Sequence, residues 1–135
     1  MKGFLTATMI LFAATGCAAA AGEPAKAPPG GDYKKVSTLV PLPDFIPGMG
    51  TLYVQPATLP AGPFLAYDRD GRLVSTVYMI PLKDLEAQKK FDRLPVGEPN
   101  VRQVDFVYNA GHPGVEQPHY HVILWHVSPD QAKLK

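Results

Sequence analysis

The stretch PFLAYDRDGRLVSTVYMIP, residues 63–81, decides the fold because it contains two runs of β-forming residues joined by a tight turn. Asp70 and Gly71 stand between the runs, and both residue types tolerate the positive φ that a tight hairpin turn requires. The stretch therefore predicts a β-hairpin and makes antiparallel pairing the organising feature of the chain.

Two further stretches have the pattern of strands. TLYVQ, residues 51–55, is a short run of β-forming residues before the hairpin. VRQVDFVYN, residues 101–109, alternates so that Val104, Phe106 and Tyr108 share one face. Because successive side chains of a strand point to opposite faces, the second stretch predicts a half-buried strand.

The stretch HYHVILWHV, residues 119–127, predicts a last strand. His119, His121, Ile123 and Trp125 share one face of it, and the opposite face is also largely apolar. A strand that is apolar on both sides needs at least partial cover on both sides. We therefore expect this strand to lie among others rather than alone at the surface.

One short amphipathic helix is predicted at LKDLEAQKKF, residues 82–91, where Leu82, Leu85 and Phe91 lie toward one side. Fifteen prolines and twelve glycines favour many short elements joined by turns. The fold prediction is a mainly β domain over residues 38–132, built as a small antiparallel barrel or sandwich with one short helix.

All four histidines of the chain fall between residues 111 and 127. In a strand, residues two apart point the same way with Cα atoms about 6.5 to 7 Å apart, so the rings of His119 and His121 can converge on one ion. A zinc, copper or iron site needs at least a third protein ligand, which the loop residue His112 can supply. Asp105 lies near the same face if the two last strands pair, and is a candidate ligand, a candidate hydrogen-bond partner of a ligand, or a candidate base.

The same residues also fit a site without metal. An H-x-H pattern without a fixed third ligand occurs by chance, His112 suits a turn, and His126 has the opposite parity and suits a core edge with a satisfied ring nitrogen. Two functions therefore stay open: a module that binds a transition metal or a small ligand, and a non-catalytic envelope interaction protein. No serine-, cysteine- or phosphate-based catalytic motif accompanies the histidines.

The N-terminus has the layout of an export signal, residues 1–16. Lys2 precedes an apolar stretch from Phe4 to Ala14, which is too short for a permanent membrane span. The single cysteine, Cys17, follows small residues, an arrangement that resembles the bacterial lipoprotein signal, in which such a cysteine becomes the lipidated first residue. The alternative is cleavage near Ala21, which would release a soluble secreted or periplasmic protein.

Lipidation would attach the protein to a membrane through its N-terminus, since each buried methylene contributes about 0.8 kcal/mol. Ala18 follows the cysteine where an aspartate would retain a lipoprotein at the inner membrane, so the resemblance implies the outer membrane, facing the periplasm. Residues 17–37 are rich in Ala, Pro, Gly and Lys, a composition that predicts a flexible linker.

The charge balance excludes one class of partner. The chain has 13 basic and 12 acidic residues, and removal of Lys2 with the signal leaves 12 of each. A neutral domain without a basic cluster has no electrostatic surface for nucleic acid. We therefore expect no nucleic-acid partner.

Four motifs in a fixed order give the chain a resemblance: PGMG at 47–50, YMIP at 78–81, GHPG at 111–114 and PHY at 118–120. Together they resemble an uncharacterised bacterial domain family whose members are often small and exported. The resemblance implies further polar residues at three positions, which are Leu52, Val77 and Ile123 in this chain. If the family site binds metal, the resemblance implies that part of it is lost here, that His112 and His119 match it, and that His121 is a local substitute.

Overall fold

The structure is a computed structural model that describes residues 24–135. Its strands form one six-stranded antiparallel sheet in the order β1-β2-β3-β4-β6-β5. The strands are β1 Lys34–Lys35, β2 Thr51–Val54, β3 Phe64–Tyr67, β4 Leu73–Pro81, β5 Gln103–Asn109 and β6 His119–Trp125. A short helix, α1 Leu82–Glu86, and two 3-10 turns, Val36–Thr38 and Pro56–Thr58, complete these elements.

The predicted mainly β antiparallel fold with one short helix is confirmed, but the sheet is not closed into a barrel. β1 and β5 occupy its two edges and do not pair with each other. β1 has two residues and β5 has seven, so they cannot form the continuous ladder that closure requires.

The hairpin of β3 and β4 forms as its sequence predicts. Gly71 has φ +74°, and the Asp68 N–H donates to the Arg72 carbonyl at 3.0 Å, which closes the turn. All nine residues of β4 are buried, since β3 and β6 flank this strand and other segments cover both of its faces.

We call the face of the sheet that carries His119, His121, Ile123 and Trp125 the inner face, and the opposite face the outer face. The inner face is covered by loops and holds the main core. That core consists of Val36, Leu52, Val54, Phe64, Ala66, Val74, Val77, Met79, Val115, Ile123 and Trp125. Its position makes the inner face of β6 a buried surface from end to end.

The outer face is covered over part of its width only. Ala27 and Tyr33 pack against the second cluster, Leu65, Tyr67 and Leu73, at the β3–β4 side. On the central strand, the Tyr78 hydroxyl donates to the Pro95 carbonyl, and the Gly97 N–H donates to Thr76 Oγ1. The β5 end is uncovered among the described residues.

The C-terminal part of the predicted linker contains regular structure. Residues 24–37 contain β1, and Val36 is buried in the core. The Ala27 N–H also donates to the Gly71 carbonyl at 2.8 Å. Sheet pairing can hold a segment of this composition because the sheet, rather than the segment, supplies the apolar surface. The predicted signal peptide and Cys17 lie outside the described residues.

Two other predicted segments are shorter than their sequence patterns. The helix predicted over residues 82–91 ends at Glu86, since Gln88 has a positive φ of 57°. The C-terminal SPDQ segment makes a single turn in which the Gln131 N–H donates to Ser128 Oγ. No helix among residues 24–135 has the length and apolar composition to cross a membrane.

The alternation of β5 is confirmed, but its apolar face is the exposed one. Val104, Phe106 and Tyr108 are 52%, 65% and 52% exposed. They lie on the outer face at the edge of the sheet, where Tyr120 contacts both aromatic rings. Alternation identifies the two faces of a strand, whereas the neighbouring segments decide which face is buried.

Candidate metal centre

Three histidine rings converge on one point beneath the inner face. The Nε2 atoms of His119 and His121 lie 2.9 Å apart, those of His119 and His112 lie 3.2 Å apart, and those of His112 and His121 lie 3.3 Å apart. We call His112, His119 and His121 the histidine triad. It is a group of potential ligand atoms that can hold a metal ion.

β6 supplies two members of the triad. Strand alternation places His119 and His121 on the inner face, where they are 0% and 6% exposed. Met79 of β4 and Val107 of β5 lie opposite His121 in the sheet, so the ring has a strand on each side. The predicted convergence of the H-x-H pair is therefore present.

A four-residue turn supplies the third member. The His112 N–H donates to the Val115 carbonyl at 3.0 Å, and the Val115 N–H donates back at 3.0 Å. Pro113 fits the second position of this turn, and Gly114, with φ +89°, fits the third. Gly111 precedes it with φ +134°, where a Cβ would collide with the Glu116 backbone. The GHPG motif thus folds His112 back toward β6.

Backbone carbonyls determine which nitrogen of two rings faces the centre of the triad. His112 Nδ1 lies 3.0 Å from the Pro113 carbonyl, and His119 Nδ1 lies 2.7 Å from the Gln117 carbonyl. A carbonyl only accepts, so each Nδ1 carries the hydrogen and donates. In the neutral rings, the Nε2 atoms then present lone pairs to one another, as metal-ligating histidines do.

The electrostatics of the triad favour a neutral His121 ring. Burial, together with the neighbouring His119 and His112, lowers the pKa of His121 to about 4. The His121 ring is therefore neutral at pH 7 and carries a single N–H. The lone pairs that His112 and His119 direct at the centre repel each other, and a bound cation removes that repulsion.

The spacing and the donor type fit a small transition-metal ion. With metal–nitrogen bonds of about 2.0 to 2.1 Å and tetrahedral angles, neighbouring ligand nitrogens lie about 3.3 Å apart. Two of the triad distances, 3.2 and 3.3 Å, match that separation, and the third, 2.9 Å, is shorter. Three imidazoles leave one tetrahedral position for water or another ligand.

A cavity of about 190 Å³ adjoins the triad on the side of His112 and His121. Its other lining residues are mainly apolar: Leu42, Ile46, Met49, Leu52, Met79 and Asn109. Met49, in the PGMG turn, also packs against the core. The cavity gives a small molecule room beside two of the three rings.

Asp105 is on the predicted face but contacts a different partner. It lies opposite Ile123 in the β5–β6 pairing, and its Oδ2 accepts a hydrogen bond from Trp125 Nε1 at 2.8 Å. The carboxylate is not among the ligand atoms that cluster with the triad. The structure therefore assigns Asp105 to the Trp125 indole, and not to the triad as a partner or base.

His126 lies outside the triad, as its parity predicts. Its Nδ1 lies 2.9 Å from the Asn100 carbonyl and donates to it, and its Nε2 accepts from the Thr76 hydroxyl at 2.8 Å. Both ring nitrogens are thereby satisfied on the outer face. This residue holds the segment before β5 against the sheet.

The sequence did not identify the groups that orient the triad. The carbonyls of Pro113 and Gln117 are backbone atoms, and any residue type can supply a carbonyl at those positions. Their one detectable signal is proline, since His112 precedes Pro113 and Pro118 precedes His119. The cavity residues from the loop before β2 gave no pattern that links them to β6.

The three positions where the resemblance implies polar residues also lie on the inner face. Leu52, Val77 and Ile123 all belong to the main core, and Val77 lies directly opposite Ile123. Leu52 lines the cavity beside the triad. In this chain these positions contribute apolar packing next to the three histidines.

A solved structure has both the fold and much of the sequence of this chain. The crystal structure of a hypothetical protein from Thermus thermophilus, TTHB210, is 49% identical, with a TM-score of 0.62, and the match covers 68% of this chain and 90% of that chain. This chain belongs to the same family as that protein. No protein-family model and no curated protein matches it. The name of the Thermus thermophilus protein states no activity.

Proposed function

We propose that this protein binds one transition-metal ion through Nε2 of His112, His119 and His121. The observation that carries the proposal is the mutual approach of three Nε2 atoms to 2.9–3.3 Å. Backbone carbonyls occupy Nδ1 in two of the rings, so those rings direct lone pairs at the centre. Burial of two rings keeps competing water away from the ligands.

Zinc, copper and iron are the candidate metals because imidazole nitrogen suits all three. The donor set contains neither thiolate nor carboxylate among the clustered atoms, so the bound ion keeps its full positive charge. Such an ion attracts a further small ligand, and the adjoining cavity offers it an apolar wall. We therefore propose a metal-binding module with one exchangeable position rather than a closed structural site.

Attachment to the cell envelope is part of the same proposal. It is supported by the apolar stretch of residues 4–14 and by the position of Cys17 after small residues. Outer-membrane sorting is supported by Ala18, and a soluble exported form is the alternative if cleavage occurs near Ala21. Intact mass of the membrane-extracted protein tests this, since lipidation adds the mass of the acyl groups at Cys17.

A second candidate function is an envelope interaction protein without metal. It is supported by the outer face of β5, where Val104, Phe106 and Tyr108 are more than half exposed. Monomeric proteins seldom expose contiguous apolar patches of this kind without a partner. The two functions use opposite faces of the sheet, so a partner at β5 can be tested independently of the histidine triad.

Elemental analysis of protein purified from the full-length gene tests the metal site. We expect one metal ion per chain after equilibration with Zn²⁺ and removal of the excess. His112→Ala should abolish stoichiometric binding, and this residue is only partly buried, so the variant should fold. His126→Gln is the matched control and should keep the metal. Metal-free wild type after equilibration with Zn²⁺, Cu²⁺ and Fe²⁺ would refute the proposal, as would full occupancy in His112→Ala.

A further inference from the structure

Among residues 24–135, the outer edge of β5 has no partner strand, and the pairing pattern identifies which of its backbone groups face outward. The His126 N–H donates to the Val74 carbonyl, so the backbone of His126 faces β4. The Trp125 carbonyl faces the other way and accepts from the Arg102 N–H. Antiparallel strands exchange backbone hydrogen bonds at alternate residues. Gln103 pairs with Trp125, so the backbone N–H and C=O groups of the odd-numbered residues of β5 face β6.

The even-numbered residues of β5 therefore direct their N–H and C=O groups away from the sheet. These are Val104, Phe106 and Tyr108, the same residues whose side chains are exposed on the outer face. Among residues 24–135, no strand pairs with this edge. Apolar side chains and unpaired backbone groups thus coincide on one strand.

Apart from the inward-pointing charge of Asp105, the strand lacks the usual features that keep sheet edges apart. QVDFVYN contains no lysine and no proline, and its pairing with β6 has an unbroken register over seven residues. Its single charge, Asp105, points to the inner face and is hydrogen-bonded to Trp125. An edge of this kind is a template for another strand.

We propose that β5 pairs with β5 of a second copy of this chain, antiparallel about a two-fold axis at Phe106. Phe106 is the central residue of β5, so this register pairs the whole strand. It joins Phe106 to Phe106 of the partner subunit and Val104 to Tyr108 of the partner subunit, and all these residues have outward-facing backbone groups. The two sheets become one continuous sheet of twelve strands, six from each copy.

Charge and apolar contact fit a second copy of this chain in this register. In this register Asp105 faces Val107 of the partner subunit, whereas a register shifted to centre on Asp105 would oppose two carboxylates. The outer-face contacts are apolar on both sides, because the two copies present the same strand. A seven-residue strand gives an interface smaller than the typical total of about 1,600 Å², so we expect dimerisation to depend on concentration.

Sedimentation equilibrium over a concentration series tests the dimer, with density-matched detergent for a lipidated form. The wild type should rise from the monomer mass toward twice that mass. Phe106→Lys should stay monomeric because it opposes two cations at the axis, and it should fold because Phe106 is 65% exposed. Leu59→Lys is the matched control, because Leu59 is 44% exposed and lies between β2 and β3, far from the β5 edge. This variant should still dimerise. A wild type that stays monomeric to its solubility limit overturns the proposal, as does a dimeric Phe106→Lys.

Cross-linking tests the register. In a Cys17→Ala background, Phe106→Cys places the only thiol of each chain at the axis, where paired Cα atoms about 5.5 Å apart allow a disulfide. Gln103→Cys places the thiol at the end of the strand, about 20 Å from its symmetry mate by strand rise. We expect mild oxidation to join the first variant and not the second. Equal cross-linking of both variants, or of neither, would overturn the register.

Discussion

The histidine triad and His126 offer the same residue type in two environments of one small sheet. The buried ring of His126 has a hydrogen-bond donor at one nitrogen, the Thr76 hydroxyl, and an acceptor at the other, the Asn100 carbonyl. Two rings of the triad instead have an acceptor at Nδ1 and other imidazoles at Nε2. Burial alone therefore does not distinguish a structural histidine from a ligand.

The difference lies in where the lone pairs point. A hydroxyl satisfies the lone pair of His126, so that ring has no capacity left for a cation. In the triad the Nε2 lone pairs of His112 and His119 point at one centre, and a cation is the partner that satisfies them together. The comparison predicts that changes at His126 affect stability without affecting metal, and that changes in the triad affect metal binding first.

The largest effect is expected for His126→Ala. The variant loses two buried hydrogen bonds and leaves a cavity, so the free energy of unfolding should fall by about 3 kcal/mol. Urea denaturation measures the loss, and elemental analysis of the folded variant should still show the wild-type metal content. A variant that loses its metal while folded would remove the distinction between the two environments.

Metal should stabilise the wild type by a comparable amount. A ligand that binds only the folded state at about 100 times its Kd raises the free energy of unfolding by about 2.7 kcal/mol. Thermal unfolding with and without Zn²⁺ should show this gain for wild type and for His126→Gln, but not for His112→Ala. An equal gain in all three proteins would indicate that zinc binds elsewhere.

A smaller effect is expected for Asp105→Ala. The change leaves the Trp125 indole N–H without its acceptor, which should lower the free energy of unfolding by about 1 to 2 kcal/mol. Zinc affinity, measured by competition with a chelator, should equal that of the wild type. A tenfold change in affinity would instead connect Asp105 to the triad.

The smallest effect at neutral pH is expected for Tyr78→Phe, which loses the hydrogen bond to the Pro95 carbonyl and about 1 kcal/mol of stability.

Burial raises the pKa of Tyr78 to about 12 from an ordinary 10.0. The unfolded chain loses this proton near pH 10 while the folded chain keeps it, so stability is undiminished below pH 10 and falls between pH 10 and 12.

Denaturant unfolding between about pH 8 and 12 measures that fall. Burial also raises the pKa of Tyr67, so the variant should keep part of the pH dependence and lose the part that belongs to Tyr78. An identical slope in wild type and variant would contradict the assignment. Metal content should not change in either protein, because Tyr78 is on the outer face with His126.

The sequence predicted most of the strands and the parity of β6, because alternation and turn residues are local properties. It predicted His119 and His121 as a pair for the same reason, and it suggested His112 from the ligand count alone. It did not predict the partner of Asp105, since parity places a side chain on a face without saying which neighbour occupies it. Trp125, on that same face, donates to the carboxylate.

Local patterns also did not predict which faces of the sheet are covered by other segments. The alternation of β5 is that of a half-buried strand, yet Phe106 is exposed because no described segment crosses the outer face at that edge. Val36 is buried although it falls in a stretch with the composition of a linker. Both outcomes depend on contacts between residues far apart in the chain.

By itself the sequence determined a mainly β chain with one short helix, a hairpin at Asp70–Gly71 and two histidines on one face of a strand. These follow from backbone preferences and from the two-residue period of a strand. Only the tertiary structure decided that the sheet stays open, that the GHPG turn brings His112 within 3.3 Å of both other rings, and that His126 is satisfied elsewhere. Those facts depend on which distant atoms share a buried volume, which no local pattern specifies.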